Sequence, residues 1–138
     1  MNRFFVLACL SVLAIGTMFA QSQPYRVVFD LTSRDSLDHK AVIRWIREIT
    51  KPNPKAEIEV VMYAKGLEMV MPEKSVVTSD LKEVMDNPNV SFRVCEIAMR
   101  NNKVEKSQML PAVRTVPDGI YEIISKQREG WGYIKVAH

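Results

Sequence analysis

After a single positive charge at Arg3, the chain runs almost wholly apolar from Phe4 to Ala20, and no run of that length recurs. A basic start, a long apolar stretch and small residues at its end predict a secretory signal peptide over residues 1–22, cut after Ala20 or after Ser22. The competing reading is a retained membrane anchor, since the run nearly reaches bilayer-spanning length. Val6-Leu7-Ala8-Cys9 imitates a lipoprotein processing box, but too few residues precede Cys9 to form its apolar region.

Beyond this run the pattern alternates between two periods. Tyr25 to Leu31 is β-branched, aromatic and apolar almost throughout, as a strand buried on both faces must be. From Asp35, a reasonable N-cap, the period becomes helical. Leu37, Ala41, Val42, Trp45, Ile46 and Ile49 share one face, while Arg44, Arg47 and Glu48 lie on the other. Lys51-Pro52-Asn53-Pro54 ends that helix, and Ile58 to Tyr63 reads as a second strand with Gly66 in the loop after it. Val77, Leu81, Val84 and Met85 mark a second helix that stops at Asn87-Pro88, ahead of a third strand, Val90 to Val94.

A short helix from Cys95 to Arg100 follows directly, then a polar loop from Asn101 to Gln108 and a fourth strand, Val113 to Val116. Pro117 suits a first helical position, Ile120, Ile123, Ile124 and Gln127 form a stripe, and Gly130 closes the helix. Trp131 to Val136 is the fifth strand. Strands and helices alternating in this way predict an α/β fold, a three-layer α/β/α sandwich with a mostly parallel five-stranded sheet and right-handed crossovers. No internal repeat or low-complexity linker interrupts residues 23–138, which are therefore expected to form a single domain.

Composition changes this picture mainly by exclusion. With 138 residues there is no room for several domains, and 47% apolar and 25% charged residues argue against disorder. Nineteen basic against sixteen acidic residues leave a net charge of +3, too small a surplus to mark a nucleic-acid partner. Outside the leader the glycines are Gly66, Gly119, Gly130 and Gly132, too scattered for a phosphate-cradling loop. A serine nucleophile elbow is missing, and His39 and His138 do not have zinc spacing. No cofactor or metal is expected from motifs of this kind.

Some residues carry two readings. His39 falls on the polar side of the first helix and reads as a solvated residue, with a site role as the alternative because that helix starts beside the carboxyl ends of the strands. Met69 and Met71 invite a copper hypothesis for an exported protein, against thioethers filling gaps in the core. Asn89-Val90-Ser91 matches a glycosylation sequon but falls at a strand start. Trp45, Trp131 and Tyr133 read as core or subunit-interface residues.

Cleavage of the leader would remove Cys9 and leave Cys95 as the sole thiol of an exported, periplasmic or secreted protein with no membrane span. Placed where a strand ends and a helix begins, Cys95 is favoured as a thiolate by unpaired backbone amides. Glu96 opposes this by like charge, and Lys65, Arg100, Lys103 or Arg114 would compensate if the fold brings one near. The alternative is a small, buried structural residue.

Four segments carry a family likeness: Val90-Ser91-Phe92-Arg93-Val94-Cys95, Leu110-Pro111-Ala112-Val113, Val116-Pro117-Asp118-Gly119-Ile120, and the run from Gln127 to Lys135. Together they resemble the DsrE-like proteins of the YchN type. That resemblance implies an α/β/α subunit assembling into trimers or hexamers. In the sulfur-relay members it also implies a cysteine that carries persulfide sulfur between a donor and an acceptor protein. Cys95 is the matching position. Asp35, Lys65, Gly66 and Arg100 are expected as its neighbours, in a crevice formed by the loops after the first three strands. The sequence departs from the pattern at Asn101-Asn102-Lys103, where relatives often carry a glycine, and at Glu96. A non-catalytic oligomeric module that binds a ligand or partner, with Cys95 buried, is the second functional expectation.

Overall fold

The structure, a computed structural model, describes residues 23–137, so the leader expected over residues 1–22 and His138 lie outside it. Five strands are present: β1 (Arg26–Leu31), β2 (Glu57–Met62), β3 (Val90–Cys95), β4 (Arg114–Val116) and β5 (Gly132–Lys135). Four helices separate them: α1 (Ser36–Thr50), α2 (Thr78–Met85), α3 (Glu96–Asn102) and α4 (Gly119–Arg128). Two 3-10 turns, Gly66–Val70 and Lys106–Gln108, complete the order. The sheet runs β4-β3-β2-β1-β5 and every pairing is parallel, so "mostly parallel" sharpens to entirely parallel among the described strands.

Strand alternation sorts the sheet into two unlike faces. Val27, Phe29 and Leu31 of β1 join Ile58, Val60 and Met62 of β2 and Val90, Phe92 and Val94 of β3 in the main apolar core, together with Val42, Ile43 and Ile46 of α1 and Leu81 and Val84 of α2. The opposite face has a much smaller apolar cluster, Val28, Val61 and Ile123. Two carboxylates, Asp30 and Glu59, are buried beside it. α4 lies over this second face.

The elements form where the pattern placed them, within a residue or two at their ends, and the exceptions have local causes. Asp35 caps α1, its Oδ1 accepting from the Leu37 amide at 2.8 Å. The buried stripe of α1 is rotated from the expected one: Leu37 is 55% exposed, whereas Asp38 and His39 are buried. His39 is therefore not a solvated residue. Its Nε2 donates to the Ser33 carbonyl at 3.0 Å, which ties the β1–α1 loop to the helix. Pro117 lies ahead of α4 rather than inside it, because Asp118 takes the cap and accepts from the Ile120 and Tyr121 amides. In α4 only Gly119 and Ile123 are buried, and Ile120 and Ile124 of the expected stripe are exposed.

The polar stretch from Asn101 to Gln108 is not all loop: α3 continues to Asn102, Lys103 stops it in the left-handed conformation (φ 54°), and a 3-10 turn follows. Trp45 packs half-buried against Phe29 with ring centroids 5.8 Å apart. Among the described residues, no helix is long and apolar enough to cross a membrane.

Gly66, expected in the loop after β2, opens the first 3-10 turn directly against the end of β1. A Cβ there would overlap the Leu31 carbonyl oxygen and press on its backbone carbon. The position is fixed by a close approach of two backbones, not by chemistry. Gly66→Ala should destabilise the protein by about 3 kcal/mol, because neither backbone can yield without dislodging the core. Urea unfolding monitored by circular dichroism checks this; an unchanged midpoint would contradict the assignment.

Candidate functional site

Cys95 ends β3 and is also the N-cap residue of α3, with extended backbone (φ −68°, ψ 121°) and no side-chain capping bond. It is 4% exposed. The register that pairs Met62 with Val94 puts Tyr63 beside Cys95 at the carboxyl edge of the sheet. Tyr63 and Ala64 from the end of β2, Ile97 and Ala98 from α3, and Asp118 and Ile120 from the start of α4 enclose a small cleft with Cys95, about 240 Å³ in volume. Asn101 and Asn102 complete the wall. The lining is largely apolar, has one carboxylate, and contains no lysine or arginine.

α4 closes the site from above. A Cβ added at Gly119 would lie 3.0 Å from the Cys95 Cβ, 3.3 Å from Val61 Cγ1 and 3.6 Å from the Cys95 Sγ. The missing side chain lets the helix begin close against the cysteine, and a Cβ there would make Cys95 and Val61 give by a few tenths of an ångström.

Tyr63 connects the cleft to a second group of polar side chains at the ends of β1 and β5. Its hydroxyl donates to Asp30 Oδ2 at 3.3 Å, and the Tyr133 hydroxyl donates to the same oxygen at 2.7 Å. Lys135 Nζ donates to Asp30 Oδ1 at 3.0 Å and to Thr32 Oγ1 at 2.9 Å, and stands 5.6 Å from the centre of the Tyr63 ring. A buried carboxylate is thereby met by two hydroxyls and an ammonium, which balance its lost hydration. Burial, followed by the charge and hydrogen bond of Asp30, pushes the Tyr63 hydroxyl up to about 12. For Tyr133 the hydrogen bond to Asp30 comes first, then burial, with the same result of about 12. Both phenols are therefore held as hydrogen-bond donors.

None of the four residues expected around Cys95 is in the lining of this cleft. Asp35 is occupied as the α1 cap and Gly66 by its contact with Leu31. Lys65 is closest in connection: its Nζ donates to Asn102 Oδ1 at 2.7 Å, and Asn102 Nδ2 donates in turn to the Ala64 and Ala98 carbonyls. Arg100 lines a different, more open cavity of about 490 Å³ on the other side of α3, with Glu96 and Lys103. Glu96 turns away to accept from Thr115 Oγ1 at 2.9 Å.

The residues that do meet Cys95, namely Tyr63, Asp118 and Gly119, carry no chemical motif that marks them in the sequence as site residues. Pro117-Asp118-Gly119 falls within one of the segments that carried the family likeness, and Tyr63 would have followed from the β2–β3 register. Met69 and Met71, the pair weighed for copper, are both buried in the main core. Among the described residues no group of three or more His, Cys, Asp or Glu side chains is arranged to hold a metal.

No protein-family model and no curated protein matches the chain. Among solved structures it is similar to MTH1491, a protein of unknown function from Methanobacterium thermoautotrophicum, with a TM-score of 0.75 and 29% identity over 80% of this chain and 98% of that one. It is also similar to BT1422, a conserved protein of unknown function from Bacteroides thetaiotaomicron, with a TM-score of 0.67, 10% identity, and 81% and 95% of the two chains covered. The ychN protein from E. coli gives a TM-score of 0.66 and 8% identity over 81% of this chain and 98% of that one. The chain thus has the YchN-type fold of the DsrE-like proteins, as its C-terminal segments implied.

The tyrosine network makes a direct prediction. The folded-state hydroxyls of Tyr63 and Tyr133 are raised above their unfolded value of 10, so the stability they contribute is full below pH 10 and is lost as pH rises toward 12. Asp30→Asn replaces the charged acceptor whose hydrogen bond leads the Tyr133 shift and whose charge comes second to burial for Tyr63. Ultraviolet absorbance titration should show two late-ionising tyrosines in the wild type; in the variant Tyr133 should ionise earlier, while Tyr63, shifted first by burial, should move less.

Proposed function

We propose that this is an exported, oligomeric DsrE-like protein that accepts sulfane sulfur on Cys95 and passes it to an acceptor thiol. The observation that carries the reading is the position of Cys95: the one described thiol stands at the carboxyl end of a strand, in the wall of a cleft at the edge of a parallel sheet, where such folds bind their ligands. The cleft volume suits one side chain or a few heavy atoms, the size of a persulfide terminus and not of a nucleotide.

In the transfer step the Cys95 thiolate attacks the outer sulfur of a donor persulfide, R–S–SH. A new S–S bond forms at Cys95 as the donor's S–S bond breaks, and the donor leaves as a thiol after taking up the proton of the transferred sulfur. An acceptor thiolate then attacks the outer sulfur and releases Cys95. No net oxidant is consumed. Tyr63, held protonated beside the cysteine, presents a neutral neighbour to both the thiolate and the persulfide.

Three further parts of the proposal rest on separate observations. The apolar leader over residues 1–22 supports export to a periplasmic or extracellular space. Exposed Ile120, Tyr121 and Ile124 on α4, with Tyr133 and Ile134 on β5, supply apolar surface that supports assembly into a trimer or hexamer. A sulfur donor or acceptor protein would dock at the rim of the cleft.

A second reading, a non-catalytic oligomeric module with Cys95 as a structural residue, is favoured by the burial of the cysteine and by the lack of a lining cation to stabilise its thiolate. Intact mass spectrometry after exposure to a polysulfide decides between them. The sulfur-carrier reading expects a gain of one sulfur atom that reductant reverses and that Cys95→Ser abolishes. An unchanged mass, or equal loading of Cys95→Ser, assigns Cys95 to the structural role.

A further inference from the structure

Two walls of the Cys95 cleft come from distant parts of the chain, and one side chain ties them together. Tyr63 and Ala64 supply the wall after β2, and Ala98, Asn101 and Asn102 supply the wall from α3. Asn102 is the last residue of α3 and is partly buried. Its Nδ2 donates to the Ala98 carbonyl at 2.8 Å within its own helix and to the Ala64 carbonyl at 2.9 Å across the cleft. Its Oδ1 accepts from Lys65 Nζ at 2.7 Å. Both amide hydrogens and the amide oxygen are engaged, so three partners fix the orientation of this side chain.

The backbone on either side of the bridge is held in a conformation it would not adopt by itself. Ala64 has φ 49° and Lys103, next to Asn102, has φ 54°; among the described residues these are the non-glycine positions with positive φ. That region is costly for a residue with a side chain and persists where the surroundings hold it. Lys103 is accounted for by the end of α3, where its amide donates to the Arg100 carbonyl. Ala64 sits in a turn whose amides point the other way: those of Tyr63 and Lys65 donate to the Leu31 and Thr32 carbonyls at the end of β1, and that of Gly66 donates to the Tyr63 carbonyl. The Ala64 carbonyl turns instead toward α3, where Asn102 meets it. Because the turn is anchored to β1 independently, a change at Asn102 acts on the wall of the cleft and leaves the sheet in place.

We propose that Asn102 sets the size of the sulfur compound that reaches Cys95, by holding the Ala64 peptide against α3 and so fixing the width of the cleft. With the bridge in place the space is about 240 Å³. Pockets for drug-sized ligands run from roughly 300 to 1,000 Å³, so this cleft falls below them. It admits a thiol or persulfide carried on one unbranched chain and turns away one attached to a ring. The substrate class rests on the reading of Cys95 as a sulfur carrier, whereas the size limit is a property of the cleft and holds without it.

The test compares two neutral reagents with the same leaving group, methyl and benzyl methanethiosulfonate, on the native full chain. In each, the Cys95 thiolate attacks the sulfenyl sulfur, the S–S bond of the reagent breaks, and methanesulfinate leaves. Rates are read at the Cys95 peptide by mass spectrometry and divided by those of free cysteine, so the ratio of the two cancels the ionisation of the thiol and reports size. Wild type should favour the methyl reagent about thirtyfold, and Asn102→Ala should cut that preference about tenfold while the methyl rate stays within about twofold of wild type. Asn102→Asp keeps the volume of the side chain and an acceptor for Lys65 but has no hydrogen to give Ala64 or Ala98, so it should lose the preference as well. A wild-type ratio near one, a ratio unaltered in both variants, or a cysteine that neither reagent modifies in any of the three proteins overturns the proposal. Loss of the preference in Asn102→Ala alone overturns it too, because Asn102 would then act by bulk and not by bridging. Sulfur loading from polysulfide is measured alongside. A size preference that follows the bridge without any gain of sulfur upholds this inference and ends the carrier role, and a gain of sulfur without a size preference overturns this inference alone.

Discussion

A carboxylate taken out of water must be given partners, and this sheet buries two of them on one face. Asp30 and Glu59 sit on neighbouring strands, a short distance from the small apolar cluster of Val28, Val61 and Ile123. Each gathers a separate set of donors. Asp30 draws Tyr63, Tyr133 and Lys135 to the carboxyl ends of the strands, and Glu59 draws Ser91, Arg93 and Lys126 to the middle of the sheet. The side chains that cover this face are chosen by those two charges more than by area of contact. The opposite face, filled by α1 and α2 against aliphatic and aromatic residues, needs no such matching and supplies most of the apolar burial.

The division of labour explains where reactive chemistry can sit. A cysteine on the apolar face would be inert and unreachable, as Met69 and Met71 are in the main core. Cys95 belongs to the same apolar cluster but stands at its border with the polar face, between a tyrosine of the Asp30 network and the first residue of the helix whose Lys126 pairs with Glu59. Its surroundings are therefore set by both buried acids, although neither touches it. A parallel sheet offers this position naturally, since all strands deliver their carboxyl ends to the same edge.

The parts of this structure visible in the sequence are those that depend on local period. The run from Tyr25 to Leu31 yields β1 to within a residue, and Asp35 is recognisable as a cap because its role is played out two residues away. The end of β3 at Cys95 is legible for the same reason. What surrounds Cys95 is not. Tyr63 reaches it through the offset between β2 and β3, and Gly119 through the angle at which α4 crosses the sheet, neither of which leaves a periodic trace. The two helix faces depart from the pattern for separate reasons: α1 turns Asp38 and His39 inward where the preceding loop folds back onto His39, and α4 turns Ile120 and Ile124 outward over a face that holds two buried acids. Hydrophobic pattern misplaces the buried side of a helix where a polar contact, from a loop or from the sheet beneath, decides the packing.

The strand order carries an implication for how the chain is made. β5 lies against β1, so the partners of Asp30 on that side, Tyr133 and Lys135, are 103 and 105 residues away in sequence. During synthesis β1 to β4 can pair while β1 still presents a bare, β-branched edge and a buried acid that lacks its cation. Both faults are mended together when the final strand emerges. β5 therefore does two jobs at once: it covers the β1 edge and completes the partners of Asp30, so a chain without it would leave both the edge and the acid unmatched.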